Sequence, residues 1–110
     1  MKAIKIKKAM QVVKRRQSME RKDRTKYMHY VHILLQQKGY NNFRLKDYSK
    51  AHKFLTKKYG VAFGVERRAD GFWLVIKSIP ERHIENVELG VLNNRRNAML
   101  NMLELMCENI

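Results

Sequence analysis

The spacing of apolar positions divides the chain into stretches of different period. No glycine or proline interrupts residues 2–22, where Ile6, Ala9, Met10, Val13 and Gln17 fall at helical spacing. Lys5, Lys8, Lys14, Arg15, Arg16, Arg21 and Lys22 surround that narrow stripe. Like charges around a thin apolar face predict a basic N-terminal helix or arm over 1–22, weakly helical or mobile when free. Ile4 and Ile6 alternating with lysines give the competing reading, a short edge strand over 3–7. Over 24–38, Tyr27, Met28, Val31, Leu34 and Leu35 mark one helical face, widened by Tyr30 and Ile33, and Gly39 supplies a left-handed stop. After Asn41 and Asn42, residues 43–45 suit a short extended piece. The helix expected over 46–59 is the most regular of all. Leu45, Tyr48, His52, Leu55 and Tyr59 form its apolar face, and Lys46, Lys50, Lys53 and Lys57 recur on the opposite one.

The period then changes to two. Val61, Phe63 and Val65 alternate with Ala62, Gly64 and Glu66, and a second run, 72–76, is rich in aromatic and β-branched residues. Asp70-Gly71 between such runs is a hairpin signal. The second strand is apolar on both faces and belongs inside the sheet, with the first nearer an edge. Pro80 opens a short helical turn expected to reach Glu88, Gly90 resets the chain, and a last helix is expected over 91–110. Leu92, Met99, Leu103, Met106 and Ile110 lie on its apolar face, broadened by Ala98, Leu100, Met102 and Leu105. Asn97, Asn101, Glu104 and Glu108 are left as a narrow polar stripe. A helix apolar over so much of its circumference must be covered by its own domain, by a second copy, or by both.

These elements give an α+β fold, with helices packed on a small antiparallel hairpin or sheet and a long C-terminal helix. One such domain spans 23–110 behind the basic 1–22 segment, and 110 residues leave no room for a second core. The order helix, short strand, helix, hairpin resembles winged-helix modules. That family has two helices where this chain has one, so the likeness implies no recognition helix here.

Charge separates the two halves. Residues 1–59 hold 18 Lys and Arg against three acids, a net of +15, whereas 60–110 hold six against seven, a net of −1. So one-sided an excess repels itself unless an anionic partner is near, and nucleic acid is the commonest such partner, with an anionic membrane surface and an acidic protein behind it. Lys46, Lys50, Lys53 and Lys57 form a row uninterrupted by acids that would follow phosphates rather than read bases. Arg44 and the hairpin-tip pair Arg67 and Arg68 are candidates for auxiliary or base contacts, and Lys14, Arg15 and Arg16 for phosphate contacts from the N-terminal segment. The expectation is a small regulatory or architectural nucleic-acid-binding protein, with DNA slightly favoured over RNA. The rival is an inhibitor or adaptor that docks its basic face on an acidic protein. A homodimer through residues 91–110 would double the basic surface.

Other chemistry is thinly represented. His29 and His32 stand at i, i+3, but a lone cysteine and few nearby acids supply no further ligands, so neither metal nor cofactor is expected. His83 beside Arg82, or Tyr59 near Lys57, are the only residues that would suit a small ribonuclease, and their spacing does not demand one. His52 lies on an apolar stripe and reads as a hydrogen-bonded core residue. Cys107 reads as packing, and its being the single cysteine suits a reducing cytoplasm. No apolar run is long enough to span a membrane and no secretory leader is apparent, so a cytoplasmic protein is expected.

Overall fold

The computed structural model describes residues 6–41 and 48–110. The elements are α1 (Ile6–Gln17), α2 (Arg24–Gln37), α3 (Tyr48–Tyr59), β1 (Ala62–Arg68), β2 (Gly71–Ile79), β3 (Ile84–Leu92) and α4 (Arg95–Glu108). Single 3-10 turns, Arg21–Asp23 and Pro80–Arg82, precede α2 and β3. The strands form an antiparallel meander in the order β1-β2-β3, so the doubly apolar β2 is central and β1 lies at an edge. The extended piece expected at 43–45 lies outside the described residues.

Helix α4 is the hub. It lies on the sheet, and α1, α2 and α3 pack around its remaining sides. Ten consecutive residues, 98–107, are buried except for half-buried Met99. The chain's own elements therefore cover the apolar circumference, and no second copy is needed to do so. The middle of the polar stripe is buried while its ends, Asn97 and Glu108, are half-buried. Asn101 is 0% and Glu104 2% exposed, because α1 and α2 close over that side. Both Glu104 oxygens are occupied. Arg16 Nε and Nη2 donate to Oε1 and Oε2 at 3.3 and 3.0 Å, and the Tyr27 hydroxyl donates to Oε1 at 2.8 Å. The Arg16 guanidinium also lies 4.0 Å over the Tyr27 ring.

The segment 80–92 corrects the sequence reading. The helical turn ends at Arg82 rather than Glu88, residues 84–92 form β3, and the last helix begins at Arg95 rather than at 91. The register explains why the period was hidden. Leu74 pairs with Gly90 but Val75 with Glu88, so Leu89 is an extra residue that shifts the side-chain alternation. Asn86, at φ 53°, adds a second irregularity. The true helix start is capped by Asn94, whose Oδ1 accepts from Asn97 N at 3.1 Å.

Helix α1 is part of the packed body. Ala9, Val12 and Val13 are buried, and Val12 takes the inward place expected of Met10, which is 41% exposed. Val13 sits on β3 at Gly90. There a Cβ would come within 2.7 Å of Val13 Cγ1, and φ is +154°, a conformation that favours glycine. Gly90→Ala is therefore expected to cost about 1–3 kcal/mol through overpacking and strain. Urea unfolding of Gly90→Ala, Val13→Ala and the double variant checks the contact. The double variant should lose less than the two single losses together, because Val13→Ala makes room for the new methyl.

Candidate nucleic-acid interface

Helix α3 presents two faces. Tyr48, Ala51 and Leu55 are buried against the body, while Lys50, Lys53, Lys57 and Lys58 are exposed. From Lys50 to Lys57 the row runs about 10 Å at 1.5 Å per residue. Lys58 leaves the row, donating to the main-chain oxygen of Lys38 at 3.0 Å and lying over the rings of Phe54 and Tyr59. Lys46 and Arg44 lie outside the described residues. His52 fixes α3 to the sheet: half-buried rather than in the core, it is hydrogen-bonded as expected, its Nε2 donating to the Phe63 carbonyl at 2.8 Å.

The other candidates divide sharply. Lys14 and Arg15 are exposed on α1. Arg16 is half-buried and held by Glu104, so it serves the fold. Burial alone would lower its pKa, but the hydrogen bond and charge of Glu104 outweigh that and raise it. At the hairpin tip Arg67 is exposed, whereas Arg68 donates to Glu88 and Glu66 at 2.8 Å each and lies over the Trp73 ring. Arg68 could meet a phosphate only by giving up two carboxylates. Helix α1 packs on β3 and α3 reaches β1, so the two helical basic surfaces border opposite edges of the sheet rather than one shared face.

Sequence reasoning missed a second group. Arg95 and Arg96 occupy the first turn of α4, where the positive end of the helix dipole disfavours cations. Arg24 begins α2 beside them: Arg24, Thr25, Asn94, Arg96 and Asn97 line one cleft of about 170 Å³. Arg95 lines another of about 230 Å³ with Arg67 and Phe72. Starting the last helix at 91 hid these arginines in its second turn. The Asn94-x-x-Asn97 cap pattern was the available signal. Arg96 Nη2 donates to Met28 Sδ at 3.3 Å, and its charge acts on the Tyr48 hydroxyl at the N-terminus of α3, partly offsetting the rise that burial gives the Tyr48 pKa. Among the described residues no carboxylate comes within ion-pair distance of Arg24, Arg67, Arg95, Arg96, Lys53 or Lys57.

Between α1 and α2 an open groove of about 510 Å³ has Lys8, Arg15 and Lys38 on its rim and Glu104 and Glu108 on its floor. The Tyr30 hydroxyl donates to Glu108 Oε1 at 3.0 Å, and burial with this bond pushes its own pKa up to about 12. Burial and neighbouring Glu104 raise the Glu108 carboxyl above its ordinary value of 4.5, only partly offset by Tyr30. The folded chain thus holds that proton more tightly than the unfolded chain. Stability associated with the protonated form is present at low pH and is lost as pH rises from about 4.5 through the raised value. Glu108→Gln, which keeps an acceptor for Tyr30, should melt higher than the parent at pH 7 and level with it near pH 4. Thermal melts at the two pH values check this.

The bystanders behave as packing. Burial pushes the Cys107 thiol up to about 12, far from a reactive thiolate. His29 and His32 meet edge to face at 6.3 Å, and among the described residues no group of three His, Cys, Asp or Glu could hold a metal ion. Of the described aromatics, Tyr27 and Tyr48 are buried, Tyr40 packs on Phe54 with ring centroids 5.4 Å apart, and Tyr30 is 41% exposed with its hydroxyl on Glu108. No described helix is long and apolar enough to cross a membrane. Comparison with protein-family models, curated proteins and solved structures finds no match for this chain.

Proposed function

We propose that the protein binds nucleic acid through its phosphate backbone, with Lys50, Lys53 and Lys57 of α3 as the principal contact surface. The observation that carries this reading is the clean division of α3, whose lysine face stands opposite a buried Tyr48, Ala51 and Leu55. An exposed face that only keeps a protein in solution mixes signs. Lysine brings charge without a planar fork, so this surface positions a backbone and carries little sequence information. Duplex DNA is favoured over single strands because Tyr27 and Tyr48 are buried and Tyr40 is packed on Phe54, so these rings offer no stacking platform. The role that fits is regulatory or architectural, in the cytoplasm.

Fluorescence anisotropy at 0.15 M salt with duplex DNA, single-stranded DNA, hairpin RNA and polyglutamate as probes tests the reading. Saturable binding to the duplex, stronger than to polyglutamate, supports it. Preference for polyglutamate would instead indicate an acidic protein as the partner of the lysine face.

A further inference from the structure

We infer that the arginine cluster between the N-termini of α2 and α4 is a phosphodiester seat, the fixed anchor of the backbone that the α3 lysines follow more loosely. The inference rests on the nucleic-acid reading and names a part of the interface that the lysine row does not include. Three features of different origin coincide there. Arg24 and Arg96 come from separate helices yet line one cleft with Thr25, Asn94 and Asn97, so guanidinium, hydroxyl and amide donors share a concave surface. Two arginines occupy the first turn of α4, and no acid occupies the first turn of α4 or α2. At α4 that arrangement is self-repelling without an anion, while at α2 one acid, Asp23 at the N-cap, precedes Arg24 in sequence. Finally, Arg96 is preorganised but not neutralised. Its Nη2 donates to Met28 Sδ, which offers no negative charge, so its remaining N–H donors keep their attraction for a phosphate oxygen.

The cluster also continues the basic surface in both directions. Arg96 lies near enough to the Tyr48 hydroxyl at the start of α3 to act on it electrostatically, and Arg95 lines the second cleft, where Arg67 stands on β1. A guanidinium pair in a cleft grips one phosphate bidentately and fixes the register of the strand, which the flexible lysines alone would not.

Backbone-amide NMR of the full chain, with duplex DNA and separately with inorganic phosphate at matched ionic strength, tests this. Arg24→Gln and Lys53→Gln/Lys57→Gln are the variants, both on exposed side chains. The expected result is that duplex DNA moves the amides of Thr25 and Asn97. Arg24→Gln should weaken duplex binding about tenfold and abolish those shifts, whereas the lysine variant should weaken binding but keep them. Arg96→Lys, which retains the charge but loses the fork, should also weaken the shifts at Asn97. If the wild type binds duplex DNA with unmoved Thr25 and Asn97 amides, or Arg24→Gln binds like the wild type, the seat is wrong while the nucleic-acid reading stands. If inorganic phosphate moves these amides and duplex DNA does not bind, the cleft is a small-anion site and both the seat and the reading fall.

Discussion

Replacing Glu104 by alanine is expected to destabilise the fold by about 3–5 kcal/mol, the largest effect of any single charged residue in the chain. The carboxylate side chain is 3% exposed, and its partner Arg16 is 19% exposed, so the pair sits where water screens little. Removing Glu104 leaves the Arg16 guanidinium without its counter-charge and the Tyr27 hydroxyl without its acceptor, both beneath α1 and α2. It also opens a void against α4, the helix on which every other element leans. A small domain has about 5–15 kcal/mol to lose, so the variant should be largely unfolded near physiological temperature. Urea unfolding checks this against a control of similar geometry. Arg68 makes two equally short ion pairs, but it is exposed and water screens them, so Arg68→Ala should cost far less than Glu104→Ala. Equal losses for the two would mean that Glu104 is not the internal counter-charge described.

The second large effect concerns binding rather than folding. Changing Lys50, Lys53 and Lys57 together to alanine should leave the melting temperature within a few degrees of the parent. All three side chains are exposed, and alanine favours helix. If each lysine meets one phosphate, the slope of log K against log salt on duplex DNA shallows by about 0.9 per contact, about 2.7 in all. Affinity at 0.15 M salt should fall about 100-fold. Sequence preference should be unchanged, because point charges on the backbone carry none. A triple variant that keeps parental affinity and slope would reduce the α3 lysines to a solvated surface.

From Tyr48 onward the α3 division was legible in the sequence, because a helix with lysines at steps of three and four opposite Tyr48 and Leu55 declares both of its faces. The β1–β2 hairpin was equally legible from Asp70-Gly71: a Cβ at position 71 would come within 2.7 Å of the Leu92 carbonyl, and Asp70 accepts from Trp73 Nε1. Strand β3 was not, since the extra residue Leu89 and the left-handed Asn86 break the alternation that marks a strand. That single misreading propagated. It moved the start of the last helix back to 91, and the arginines of its real first turn passed as ordinary helical charges. The stripe of Asn97, Asn101, Glu104 and Glu108 reads in the sequence only as the polar side of the helix. Only the tertiary arrangement shows Arg16, Tyr27 and Tyr30 waiting for it. Local pattern reports which face of a helix is polar, and here polarity marks the buried seam between helices.

The most direct test of phosphate-backbone binding is the salt dependence of the wild-type chain on duplex DNA, measured by anisotropy between 0.05 and 0.5 M salt on two unrelated sequences. Three lysines with an arginine seat imply a straight log–log plot with a slope of about −3 or steeper, the same for both sequences within error. A slope shallower than about −1, or binding already lost at 0.15 M salt, would contradict the account.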